Sequence, residues 1–218
     1  MNQASIFTLE KKGNAYKDFS EFPQDIYVDT SAWITAYDSN SSYNPVREFM
    51  GDCLDNGTTL YHSEMVLSEI VHVNEKAFYD KYANEYKSKA IMNGQVNQKK
   101  LKKLINSAHP EIRQNIMDSQ KNFLHIIQTS SIMLEYESNE DYFEEILRIR
   151  ESTDYILGVN DAKHVFIARQ YGINSFLTAD GDFIALDNDN IYAPQNEKYT
   201  REKIGRNNIL LNFDPNQY

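Results

Sequence analysis

Five acidic side chains stand beside strand-like or helix-like runs in this chain. Asp29 follows the apolar run IYV, and Glu69 lies inside SEMVLSEI. Asp161 opens NDAKHVFIA, while Asp180 and Asp182 flank a glycine in FLTADGDF. Taken singly, each has an ordinary explanation. Asp29 and Asp161 read as acids favoured at helix starts, Glu69 as a solvated helix residue, and Asp-Gly as a turn dipeptide. Taken together they suggest other chemistry. Glu69 and Asp161 border apolar stretches, where a carboxylate is costly to bury unless it is paired or metal-bound. Carboxylates brought together repel one another, and a divalent cation relieves that repulsion. Mg²⁺ prefers carboxylates, waters and phosphate oxygens. Two such ions about 4 Å apart activate water and stabilise the leaving oxygen in phosphodiester cleavage.

The elements that must carry these acids alternate between strand and helix. IYVD (26–29) reads as a buried strand because it does not alternate apolar with polar. A helix follows Thr30 and Ser31, and a second begins at Asn44-Pro45 and stops at Asn56-Gly57. TTLYH (58–62) is the next strand. Ser63 reads as the N-cap of a long helix reaching the mid-80s. Residues 89–130 read as helical, with breaks at Asn93-Gly94 and His109-Pro110. Helices over 140–150 and 160–170, strands over 173–179 and 190–194, and a last strand ILLNF (209–213) complete the pattern. Such alternation predicts an α/β fold with a mainly parallel central sheet. In such sheets ligands bind beyond the carboxyl ends of the strands, which is where Asp29 and Asp180 fall. Residues 1–24 read as a polar lead-in, with one domain over 25–218. The stretch at about 74–135 is long for one crossover and reads as an inserted, extended helical arm.

Composition narrows the setting. The chain has 218 residues, 41% of them hydrophobic, and a formal net charge of -10. That field does not attract nucleic acid, so a nucleic-acid substrate needs a local basic patch or bound metal. Segment 76–103 supplies such a patch. It carries eight lysines against two acids, a local balance of +6, with Tyr79, Tyr82 and Tyr86 among the first of them. Lys81, Lys87, Lys89, Lys99, Lys100, Lys102 and Lys103 are candidates for RNA phosphates, and the tyrosines for unstacked bases. A solvated helix with core-facing tyrosines explains the same pattern. The single cysteine, Cys53, excludes an internal disulfide and a cysteine-rich zinc site. No signal-peptide core or membrane span is expected, which makes a cytoplasmic location the expectation. His164 lies one turn after Asp161 and reads as a surface or core-edge histidine.

These segments resemble the PIN-domain nucleases. IYVDTSAW (26–33) resembles the family's first-strand motif, SEMVLSEI (63–70) its second, NDAKHVFIA (160–168) its third and FLTADGDF (176–183) its fourth. The resemblance implies a three-layer α/β/α sandwich. It implies that Asp29, Glu69, Asp161 and Asp180 hold Mg²⁺ or Mn²⁺, with Asp182 as an accessory ligand and Thr30, Ser31 and Thr178 supporting the site. It further implies cleavage that leaves 5′-phosphate and 3′-hydroxyl ends. Many bacterial members are VapC-like toxins that cut RNA and are silenced by a small antitoxin, often as homodimers. A non-catalytic RNA- or protein-binding module on the same fold is an alternative, as is a DNA- or RNA-processing nuclease without an antitoxin. A haloacid-dehalogenase-like phosphatase is disfavoured because Ser31 stands where its second acid is needed. An EF-hand fails because Ile184 replaces a ligand of the loop starting at Asp180.

Overall fold

A computed structural model describes residues 4–37, 44–136 and 141–194. Its strands are β1 (Ser5–Thr8), β2 (Lys11–Lys12), β3 (Ala15–Tyr16), β4 (Asp25–Val28), β5 (Thr59–Ser63), β6 (Ile91–Met92), β7 (Gln95–Val96), β8 (Ile132–Leu134), β9 (Ser175–Leu177) and β10 (Asn190–Ala193). Its helices are α1 (Thr30–Tyr37), α2 (Pro45–Asp55), α3 (Glu64–Tyr86), α4 (Gln98–Ala108), α5 (Ile112–Ser130), α6 (Tyr142–Ser152) and α7 (Val159–Gln170), with 3-10 turns at Lys87–Ala90 and Gly181–Ala185. The expected strand ILLNF lies outside the described residues.

The chain divides into two units, Met1–Glu64 with Ser131–Tyr218, and Met65–Ser130. The first unit holds a six-stranded parallel sheet in the order β1-β10-β9-β4-β5-β8. Ile26, Tyr27 and Val28 of β4 are all buried, as are Phe176 and Leu177 of β9. Runs that are apolar on both faces suit a parallel sheet covered on both sides. The crossover from β4 to β5 through α1 and α2 moves one way along the sheet. The return from β8 to β9 through α6 and α7 moves the other way. Right-handed crossovers then put these helix pairs on opposite faces, which makes an α/β/α sandwich. Asn44 starts α2 as expected, its Oδ1 accepting from the Val46 and Arg47 amides at 3.1 Å each.

Two strands of this sheet escaped the sequence reading. Within the 1–24 lead-in, β1 joins the sheet beside β10. An aromatic cluster pins this region. Phe7 stacks on Tyr192 at 4.9 Å, and Phe19 packs against Phe7, Tyr16, Phe22, Phe49 and Tyr192. Each such pair contributes about 0.5–1.5 kcal/mol beyond its buried area. Lys11 adds ion pairs to Glu48 at 2.8 Å and Asp52 at 2.6 Å. The second missed strand, β8, lies in the stretch assigned to the helical arm.

The second unit has its own core of Ala90, Leu101, Ile105, Ile112 and Ile116. The Asn93-Gly94 break is more than a helix interruption. It is the two-residue turn of the hairpin β6–β7, and both residues have positive φ, 52° and 78°. That geometry is why Asn-Gly is the favoured sequence there.

Candidate active site

Strands β4 and β9 lie side by side, yet the chain leaves them in opposite directions along the sheet. This is the switch point at which parallel sheets open a crevice beyond their carboxyl ends. Val28 pairs with Leu177, and the Asp29 amide donates to the Leu177 carbonyl at 2.9 Å. Asp29 and Thr178 therefore leave the sheet together.

Asp29 is buried, and its Oδ2 is held by three donors. Ser31 Oγ donates at 2.6 Å, Thr178 Oγ1 at 3.1 Å and the Ser31 amide at 3.2 Å. The same hydroxyls also accept: Ser31 Oγ from the Ala179 amide and Thr178 Oγ1 from the Asp180 amide, both at 2.9 Å. Two short side chains thereby tie the β4 and β9 loops around one carboxylate. Asp180 in turn caps the 3-10 turn, its Oδ1 accepting from the Asp182 amide at 3.0 Å. The turn is anchored by buried Phe183. Asp180 and Asp182 are half-buried, and Thr30 is buried as the first residue of α1.

Asp161 is the third residue of α7. Its Oδ2 accepts from the Gly158 amide at 3.0 Å. Burial, the negative charge of Asp29 and that of Asp180 push its carboxyl up to about 6. The Gly158 N–H and His164 act in the opposite direction. Asp161 thus lies close enough to Asp29 and Asp180 to feel the charge of both. Glu69 is half-buried in the second turn of α3 and belongs to the second unit.

Four further residues shape this site, and sequence reasoning missed their roles. A Cβ on Gly158 would lie 2.8 Å from Asp161 Oδ2, so the absence of a side chain lets the carboxylate fold back on the helix start. The available signal was a glycine three residues before an acid, at a position where Ser, Thr, Asn and Asp usually lead. His164 is neither at the surface nor at the core edge. It is 1% exposed, with Nε2 3.9 Å from Asp29 Oδ1 and Nδ1 2.8 Å from Tyr27 Oη. Tyr27 Oη lies 2.7 Å from Ser63 Oγ, so the serine read as a helix cap has its hydroxyl against the tyrosine.

Among the described residues, no three His, Cys, Asp or Glu side chains are gathered tightly enough to hold a metal ion as they stand. The donor set still fits a hard divalent ion. Mg²⁺ is usually held by one or two carboxylates, with waters and phosphate oxygens completing its shell, rather than by an all-protein cage. The charges of Asp29 and Asp180, which add to burial in pushing Asp161 up, are the repulsion that such an ion would relieve.

The lysines Lys81, Lys87, Lys89, Lys99, Lys100, Lys102 and Lys103 are all exposed on the second unit. Its tyrosines are not free platforms. Tyr82 stacks on His109 at 4.1 Å, the Tyr79 hydroxyl donates to Asn106 at 3.1 Å, and Tyr79, Tyr82 and Tyr86 all pack on the unit's core. Among the described residues, no helix is long and apolar enough to cross a membrane.

The PIN domain family matches over residues 26–189. Among solved structures, the crystal structure of FitAcB from Neisseria gonorrhoeae is 16% identical, covering 78% of this chain and 97% of that one, with a TM-score of 0.41. No curated protein matches the sequence.

Proposed function

The chain belongs to the PIN domain family, and on that premise we propose that it is a Mg²⁺- or Mn²⁺-dependent endoribonuclease, the toxin of a toxin–antitoxin pair. The observation that carries the nuclease reading is the convergence of Asp29 and Asp180 at the carboxyl ends of β4 and β9, tied by Thr178, with Asp161 near enough to feel both charges. Asp29, Asp161 and Asp180 would hold the metal, with Asp182 assisting. A bound divalent ion supplies Lewis-acid neutralisation of the phosphate and a water activated for attack.

The chain's own residues set the stage. Ser31 and Thr178 fix Asp29 through Oδ2, and this leaves Oδ1 as the oxygen free of those donors. Gly158 fixes Asp161 through Oδ2 in the same manner. The exposed lysines of the second unit would bind RNA phosphates and offset a chain charge of -10. A small antitoxin, a homodimer and a cytoplasmic setting follow from the resemblance to VapC-like toxins.

Purified protein with Mn²⁺ should cut single-stranded RNA, and Asp29→Asn should abolish the cleavage. Equal cleavage by wild type and variant removes the reading. Cleavage of DNA alone would favour a processing nuclease without an antitoxin.

A further inference from the structure

We infer that His164, through Tyr27 and Ser63, is the positioning residue that orients Asp29 for metal binding; this rests on the nuclease reading above. Helix α7 is buried nearly all round, with Ala162, Val165, Phe166, Ile167 and Ala168 in the core. A leucine at 164 would bury comparable apolar surface without desolvating a polar ring. The imidazole has another use on this face. It stands one turn beyond Asp161, on the same side of the helix, and its Nε2 approaches Asp29 Oδ1 at 3.9 Å. Both groups are buried, so water screens the interaction little.

The arrangement is polarised. A lone pair on Nε2 facing a carboxylate oxygen would repel it, so Asp29 selects the tautomer with hydrogen on Nε2. Nδ1 then accepts from Tyr27 Oη at 2.8 Å, and Tyr27 Oη accepts from Ser63 Oγ at 2.7 Å. Tyr27 and Ser63 are completely buried and belong to adjacent strands, β4 and β5, so the ring's partner is fixed by the sheet. Asp29 is consequently held at one oxygen and steered electrostatically at the other. Ser31 and Thr178 engage Oδ2, while the Nε2–H directs Oδ1 from a distance too long for a direct hydrogen bond. A donor that orients a ligand without displacing the metal is the usual outer partner of a metal site, and losing one typically costs about 10–100-fold in metal affinity.

Mn²⁺ binding followed by electron paramagnetic resonance on the full chain tests this, with thermal melting as a check on folding. Asp29→Asn defines the site. His164→Phe should weaken Mn²⁺ binding by about 10-fold or more. His164→Gln, which restores an N–H near the Nε2 position, should recover most of that loss. Tyr27→Phe removes only a hydroxyl, keeps the core shape, and should weaken binding several-fold even if His164→Phe does not fold. Should wild type show no Mn²⁺ site sensitive to Asp29→Asn, both this inference and the nuclease reading fall. Should that site exist but folded His164→Phe, or Tyr27→Phe, bind Mn²⁺ as wild type does, the inference alone falls. It falls alone as well if His164→Gln binds no better than His164→Phe.

Discussion

Ser31 Oγ and Thr178 Oγ1 lie 3.1 Å apart and donate to the same oxygen of Asp29. Each hydroxyl has one proton, so with both directed at the carboxylate the hydroxyl pair is a packing contact rather than a further bond. The two residues are 147 positions apart in sequence. Their meeting ties the first and last motifs of the site into one unit.

Sharing one acceptor makes their energies non-additive. Ser31→Ala removes a donor from Asp29 and an acceptor from the Ala179 amide, and it should destabilise the fold by about 1–3 kcal/mol. Thr178→Val should cost a similar amount by stranding the Asp180 amide. The double variant should cost clearly less than the sum, because either single change already loosens the carboxylate. Denaturant unfolding of the four proteins measures this, and strict additivity would show that the two hydroxyls act independently.

Asp161 should be a stability liability without metal. Its folded-state carboxyl is raised from 3.8 to about 6, chiefly by burial and then by Asp29 and Asp180. The unfolded chain therefore loses its proton first as pH rises. The folded state's advantage is complete below the unfolded value and is lost as pH climbs through about 6. At neutral pH, Asp161→Asn should raise stability by about 1–2 kcal/mol, the full shift being discounted for partial exposure. Thermal melts with chelator present test this. Added Mn²⁺ should narrow the gap by stabilising the wild type alone.

His62 should act in the opposite sense on the acid side. It is buried on β5, Nδ1 lies 3.0 Å from Ser131 Oγ, and Nε2 has no hydrogen-bond partner among the described residues. Burial holds its pKa below the ordinary 6.5. The unfolded chain gains a proton first as pH falls, so this contribution is present above 6.5 and fades on acidification. A His62→Leu variant should lose less stability than wild type between neutral pH and pH 5. Parallel melting curves for the two proteins would refute it.

The strand ends at this edge were legible because IYV and SFLTA are apolar-rich runs that stop abruptly at Asp29 and Asp180. Helices with caps were equally plain, as Asn44-Pro45 shows. Strands β1 and β8 were not, because a run of three or four residues carries no period, and their pairing depends on β10 and β5 far away in sequence. The roles of Tyr27 and His164 were hidden for the same reason. Tyr27 looks like any strand aromatic until the fold brings it to a histidine 137 positions away. The aromatic patterning of the second unit was legible, but not its direction. Tyrosines among lysines read equally as base platforms or as core, and packing on Ile105 and its neighbours decided for core.

Gly158 isolates positioning from folding. Its φ of -64° and ψ of 167° are open to any residue, so alanine meets no backbone strain there. The added methyl would instead meet Asp161 Oδ2 at 2.8 Å, well inside contact distance. That oxygen ends a short side chain, so the carboxylate gives way rather than the helix. Gly158→Ala should therefore melt within about 2–3 °C of wild type, as expected of a change below about 1 kcal/mol. It should nonetheless weaken Mn²⁺ binding about 10-fold, as losing a ligand's support does, and lower RNA cleavage in step. Gly158→Ser, carrying its own hydrogen-bonding group at the helix start, should show the same displacement. A Gly158→Ala protein with wild-type Mn²⁺ affinity would show that the approach of Gly158 to Asp161 is incidental to the site.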